Sequence, residues 1–375
     1  MTMTTNNEHK KLNAPTLRFP EFEGEWEKCT LGDVAEFSKE RMNTQNLSCD
    51  NYVATENMLQ NYQGIIVASN VPTNTNVIKF SKGDVLLSNI RPYLKKVWFA
   101  DKSGGCSADV FVFKAFPACV PGFLHHIIAN DRFINFAMSG AKGVKMPRGD
   151  KEQMKTYEIG LPSIKEQNKI AKLLSLLDER IATQSKVIDK LQSLIKGIRH
   201  DIFKDIQGKV LALNNIADIY QPQTISSSDL TTEGYWVYGA NGIIGKYKEY
   251  NHETEQICIT CRGNTCGTVN YTQPKVWITG NSMVINTDKY QRQVNKRFLF
   301  HYLSSYNFNS IVSGSGQPQI VRTPLEKIKV TLPTIEEQVQ IAHGIDSLLT
   351  KIETECTVLS FLESQKQYLL RQMFI

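Results

Sequence analysis

The chain has 375 residues, of which 41% are hydrophobic and 21% charged, with a formal net charge of +6. That length exceeds what one compact core usually holds, and the composition excludes an intrinsically disordered chain. No apolar run reaches the roughly 18 residues of a membrane helix, Met1 to Lys11 lacks the apolar core of a secretory leader, and the eight cysteines are too scattered for a disulfide framework, so a cytoplasmic protein is expected.

Residues 1–14 read as a flexible, polar lead. From 15 to 160 the pattern is mixed and strand-rich, with strands at Asp84–Ser88 and Val110–Phe113 and a helix over Phe123–Met138. Residues 161–207 form one long helix. Its stripe of Ile170, Leu174, Leu177, Ile181, Gln184, Ile188, Leu191, Ile195, Ile198 and Ile202 steps alternately by four and three, the rhythm of a heptad seam. Pro162 precedes it, and Ser163 with Glu166 three residues on has capping-box spacing. Residues 208–331 return to a mixed pattern, with a strand at Gln256–Thr260 and a helix at Asn295–Tyr306. Residues 332–375 read as a second long helix with the stripe Ile341, Ile345, Leu348, Ile352, Glu355, Leu359, Leu362, Lys366, Leu369 and Met373.

These segments repeat. Leu161-Pro162-Ser163-Ile164-Lys165-Glu166-Gln167 returns as Leu332-Pro333-Thr334-Ile335-Glu336-Glu337-Gln338, and the match runs without a gap to Phe203 and Phe374. Leu31–Phe37 echoes Leu213–Ile219, and Ser139-Gly140 echoes Ser313-Gly314. A period of roughly 170 residues is too long for a solenoid, so the chain is a tandem of two domains. Gln184 and Glu355 interrupt the two stripes at the same place. Residues 161–207 carry nine basic and six acidic side chains, and residues 332–375 carry three and six. Opposite charge and connectivity favour an antiparallel pair of helices; the plainer alternative is that each helix packs only on its own domain. The fold class expected is α/β (α+β) with a pseudo-two-fold internal repeat.

Catalytic motifs are scarce. Gly239–Lys246 resembles a phosphate loop, but its spacing is wrong and Tyr247 stands where Ser or Thr would bind magnesium. There is no Pro-Pro dipeptide, H-E-x-x-H, EF-hand or G-x-S-x-G pattern. Cys258, Cys261, Cys266 and His252 can be drawn as a zinc site. The C-x-x-C falls on a strand and no second pair follows, which favours packed, reduced thiols.

The repeated Leu-Pro-x-Ile-x-Glu-Gln-x-x-Ile-Ala box, each copy followed by its heptad helix, resembles the specificity subunit of type I restriction-modification systems. So do Leu17–Phe22, Trp26, Leu31-Gly32-Asp33 and Val237–Gly245. The resemblance covers essentially the whole chain. It implies two target recognition domains (15–160 and 208–331), held apart by an antiparallel coiled coil of the helices at 161–207 and 332–375. Each domain would read one half of a bipartite site on double-stranded DNA. The chain would perform no chemistry and bind no cofactor. It would dock two methyltransferase subunits using S-adenosylmethionine and, in the full complex, two translocase-endonuclease subunits using ATP and Mg. A scaffold that bridges proteins without reading DNA is the alternative.

On this expectation, phosphate contacts supply affinity and base edges specificity. The candidates in the first domain are Arg91, Lys95 and Lys96 on the turn after the strand near Ser88, and Lys142, Lys145 and Arg148 in the loop from Ser139. In the second domain they are Asn241, Arg262, Asn264, and Ser315, Gln317, Gln319 and Arg322 in the loop from Ser313. Any one of them can equally be a solvated surface group. Tyr93, Trp98 and Tyr238 offer stacking faces but fit a core as well. Glu166, Gln167, Glu337 and Gln338 are candidates for binding the methyltransferase subunits, or helix caps.

Overall fold

A computed structural model describes residues 13–143, 145–240, 242–314 and 316–375. Most of the expected polar lead lies outside the described residues. The chain divides into two compact units, one of residues up to Lys186 with Thr357–Ile375, the other of Val187–Cys356.

In the first unit, Ala35–Phe37, Val110–Ala115, Val85–Ser88 and Val97–Phe99 form an antiparallel sheet in that order. A second sheet orders Arg41–Asn43, Asn76–Phe80, Gly104–Cys106 and Tyr52–Val53, the last pair parallel. Glu27–Thr30 pairs with Glu158–Leu161 in a ribbon. Val85–Ser88 is buried along its whole length because its alternating side chains enter two cores. Val85 and Leu87 join Phe123, Phe133 and Leu174, whereas Leu86 joins Phe80 and Trp98.

The second unit repeats the scheme. Asp218–Tyr220, Ser282–Asn286, Ile257–Thr260 and Val269–Tyr271 form the antiparallel sheet. Lys209–Ala212 pairs with Lys329–Leu332. Ile257 and Ile259 face the main core and Cys258 a smaller one. Gly239–Lys246 lies in a hairpin of Tyr235–Gly239 and Gly242–Tyr247, with no helix following it, so the phosphate-loop geometry is absent. Cys258 and Cys261 are buried free thiols, and burial pushes Cys258 up to about 12. His252 is occupied by the Tyr220 hydroxyl, 2.9 Å away, and by Asn251.

The helix expected over Phe123–Met138 is two helices, Pro121–Ile128 and Asp131–Ser139. Asn130 breaks it: its backbone is extended, and its side chain accepts from the Arg132 amide to cap the second helix. Lys296–Ser305 starts likewise from Asn295, whose side chain accepts from the Phe298 amide.

Both long helices form, Ile164–Asp205 and Ile335–Gln372, at 42 and 38 residues. Every position of the two heptad stripes is buried or half-buried. Lys366, a buried cation within a stripe, pairs with Asp178 at 2.5 Å inside the first unit.

The glutamine of each box anchors its helix. Gln167 accepts from the Val120 amide at 2.8 Å and donates to the Ala118 and Pro162 carbonyls. Gln338 accepts from the Asn295 amide at 2.8 Å and donates to the Gln293 and Pro333 carbonyls. In each unit the carboxamide ties the long helix to the start of the domain's own helix, and both side chains are sealed from water.

In the second unit His301 is fully buried. Its Nε2 lies 2.9 Å from Asp346 Oδ1 and its Nδ1 3.1 Å from Arg199. Arg297 also binds Asp346, with Nε 2.9 Å from Oδ2. Burial, reinforced by the two arginines, lowers His301 to about 4 despite the carboxylate; burial lowers His252 to about 4 as well. Below about pH 6.5 the unfolded chain takes up protons that these rings refuse, so their contribution is complete above that pH and is lost toward pH 4. Urea unfolding at pH 7, 5.5 and 4.5 is expected to show this loss, and His301→Gln to flatten it. A stability unchanged across that window would refute the assignment.

Candidate nucleic-acid interface

Each unit pins a glycine-containing loop to the turn that leaves its central strand. In the first unit, Arg91 and Lys95 flank a single helical turn, Pro92–Leu94, and both adopt left-handed backbone with φ of +52° and +54°. Such conformations in non-glycine residues cost on the order of 1 kcal/mol each and persist only where surrounding bonds enforce them. Here the Arg91 amide donates to the Pro147 carbonyl at 2.8 Å. Lys142 and Arg148 exchange both backbone hydrogen bonds at 2.9 Å, and Arg148 also bridges to Ile90. Gly143 makes the reversal with φ +95°.

The second unit builds the same device. Ser313 and Gln319 exchange backbone bonds at 2.8 Å, Gly263 donates to the Pro318 carbonyl at 3.0 Å, and Arg262 bridges to Gln319. Gly314 takes φ +88°. The counterpart of Gly314 is therefore Gly143, three residues beyond the glycine matched in sequence. Gly140 instead ends the helix Asp131–Ser139 with φ −101°.

The candidate side chains divide by what already holds them. Lys145 and Arg262 are exposed and have no ion-pair partner among the described residues. Arg148 is exposed, 3.2 Å from Asp109, and Lys142 is 82% exposed, 2.7 Å from Asp150. Asn264, Gln317 and Gln319 are exposed. Arg322 begins the short helix Arg322–Glu326 and reaches Glu326 at 2.6 Å. Arg91 is half-buried. Lys95 is held by Asp131 at 2.8 Å, and Lys96 donates to the Thr55 carbonyl at 2.6 Å, so both are committed to their own unit. Asn241 and Ser315 lie outside the described residues. Tyr93 is exposed, whereas Trp98 and Tyr238 are core.

The box residues require correction as a docking surface. Glu166 is 1% exposed and is bound by Arg18, at 2.7 and 2.8 Å, and by the Trp26 indole. Gln167 and Gln338 are the buried anchors already described. Only Glu337 of the four is exposed, capping its helix through Thr334 at 2.9 and 3.0 Å. Exposed apolar side chains on the long helices include Ile164 within the first box, and Leu176, Val187, Leu194, Val339, Phe361 and Tyr368. Sequence reasoning also missed the hairpin aromatic Trp236, exposed with the Lys246 ammonium 4.7 Å above its ring; the run Tyr235-Trp236-Val237-Tyr238 was its only signal.

The sequence pattern of the family described as "Type I restriction modification DNA specificity domain" matches residues 23–193 and again 201–364. The chain belongs to that family. The EcoprrI type I restriction enzyme specificity subunit of Escherichia coli is 29% identical over 151 residues, 39% of this chain and 37% of that protein. The MjaVIII specificity subunit of Methanocaldococcus jannaschii is 28% identical over 268 residues, 58% of this chain and 61% of the relative. The matches thus span less than two thirds of these relatives. In fold, the chain is similar to the type I restriction-modification S subunit of M. genitalium, with TM-score 0.65, 18% identity, and 96% and 99% of the two chains covered. It is also similar to a chain from a study of complex assembly and conformational transition in a type I system, with TM-score 0.59, 20% identity, and 92% and 96% covered.

A Cβ at Gly314 would stand 2.5 Å from the Gln317 carbonyl oxygen, whereas one at Gly316 would meet open space. Gly314→Val is expected to open the Ser313–Gln319 pair, seen as faster amide exchange at both residues, with a local cost of about 1–3 kcal/mol. Gly316→Ala is expected to leave the exchange unchanged. Equal exchange in all three proteins would mean the glycine does not set the loop.

Proposed function

We propose that this chain is the DNA-reading subunit of a type I restriction-modification assembly, with each unit's loop pair meeting one half of a bipartite duplex site. The observation that carries this reading is the duplicated loop-and-turn device in a chain whose two halves both match the family. The loops combine backbone pairs at their bases with exposed, hydrogen-bonding side chains. Lys145, Arg148, Arg262 and Arg322 suit phosphate or guanine, and Gln317 and Gln319 suit adenine edges. Lys95 and Lys96 act instead by fixing the turn.

The long helices are proposed to run as an antiparallel coiled pair that sets the interval between half-sites. The stripe burial supports this, as do the Asp178–Lys366 pair in one unit and the approach of Arg199 and Asp346 around His301 in the other. Their exposed apolar side chains are proposed to dock the methyltransferase subunits. Chemistry then belongs to partners: S-adenosylmethionine to the methyltransferases, ATP and Mg to the translocase-endonucleases. The assembly would act in the cytoplasm.

Lys145→Ala with Arg148→Ala is expected to weaken DNA binding by the assembled methyltransferase and to reduce the salt slope by about one for each phosphate no longer neutralised. An unchanged affinity and slope would sink the loop assignment and favour a scaffold. A seven-residue insertion after Glu179, matched by seven residues before Lys366, adds about 10 Å of helix, or about three base pairs. The methylated motif is expected to keep both halves and lengthen its spacer accordingly. An unaltered spacer would mean the helices do not set the interval.

A further inference from the structure

We propose that His125, His126 and Asp178 bind one divalent transition metal of the zinc class inside the first unit. One ring nitrogen from each histidine and a carboxylate oxygen lie within 4.8 Å of one another, the only such group among the described residues. The histidines sit in the last turn of Pro121–Ile128, and Asp178 belongs to the first long helix. Imidazole nitrogens with a carboxylate are an ordinary zinc donor set. Zinc–ligand distances of about 2.0–2.2 Å would draw the donors to within about 3.3 Å of one another, a closure of up to about 1.5 Å.

The second observation is His126 itself. It is fully buried, yet neither ring nitrogen has a hydrogen-bond partner of normal geometry. A buried polar side chain left alone requires an explanation, and an ion is one. The backbone carbonyl of Ala171 lies beside the ring and weakly favours its protonated form. Such an acceptor can orient a histidine that ligates through its other nitrogen.

The second unit supplies the control. His126 lies six residues after Val120, and His301 six residues after Asn295, the two amides held by the glutamine anchors. His301 is therefore the counterpart of His126, and it is satisfied on both nitrogens by Asp346 and Arg199. The first unit offers a second histidine and a carboxylate in place of that network. Burial disfavours the protonated form of both imidazoles, and ligation requires the neutral ring.

Lys366 faces the same cluster from the second long helix, its ammonium 2.5 Å from Asp178. A metal would share the Asp178 carboxylate with the ammonium and meet its like charge, so Lys366 opposes binding. The bound ion would fasten Pro121–Ile128 to the first long helix without touching the loops assigned to DNA.

The test titrates the chelator-treated full chain with Zn²⁺ and Co²⁺, following stoichiometry, Co²⁺ absorption and thermal midpoint. One equivalent is expected, with visible Co²⁺ bands and a raised midpoint. His126→Gln and Asp178→Asn are each expected to weaken binding by roughly tenfold or more, and Lys366→Met to tighten it by a similar factor. Should a ligand variant fail to fold, the Lys366→Met comparison still decides. No binding by the wild type or by Lys366→Met overturns the proposal, as does binding that neither the ligand variants nor Lys366→Met alter.

Discussion

A carboxamide buried at the start of a helix must find partners for its oxygen and both hydrogens, and Gln167 and Gln338 find them in three backbone groups each. The oxygen takes an amide that opens the domain's own helix, so the long helix and the domain are fixed to one another through main chain. Removing such a side chain would strand a buried amide and two carbonyls, a penalty of about 1–3 kcal/mol for each group left unpaired. The adjoining ribbons, Glu27–Thr30 with Glu158–Leu161 and Lys209–Ala212 with Lys329–Leu332, brace the same junction. Everything that the strands and loops position is referenced to these two anchor points.

Much of this frame was legible because it rests on periodicity. Heptad spacing put the right side chains inward on both long helices, including Lys366, which a hydrophobic pattern alone would reject. The fixed offset between the two boxes identified the duplication. What escaped was set by partners distant in sequence. Glu166 has capping-box spacing, but in space it meets Arg18, 148 positions away, and turns from the cap to that pair. The Asn130 break was hidden because the residues on both sides are apolar at helical spacing. The true alignment of the loops, Gly143 with Gly314, depends on backbone pairing and positive φ, which similarity of Ser-Gly dipeptides does not report.

The candidate interface was partly legible for the same reason. Counting cations marked the two loops that the backbone closes but could not separate free from committed side chains. Lys95 and Lys96 look identical in sequence to Lys145, yet an aspartate and a carbonyl hold them. Exposed ion pairs such as Lys142 with Asp150 are weak, on the order of 0–1 kcal/mol, so those cations remain available to a stronger polyanion. The acidic neighbours Asp109 and Asp150 temper the positive field of the first loop without cancelling it.

The loops are closed chiefly by main-chain pairs, Lys142 with Arg148 and Ser313 with Gln319, with prolines and glycines at the bends. Lys145 and Gln317 are exposed and outside the cores, so substitutions there are expected to leave the framework intact. On the proposed reading, such a molecule can change its target without refolding, because the side chains that would meet DNA are separate from those that hold the fold.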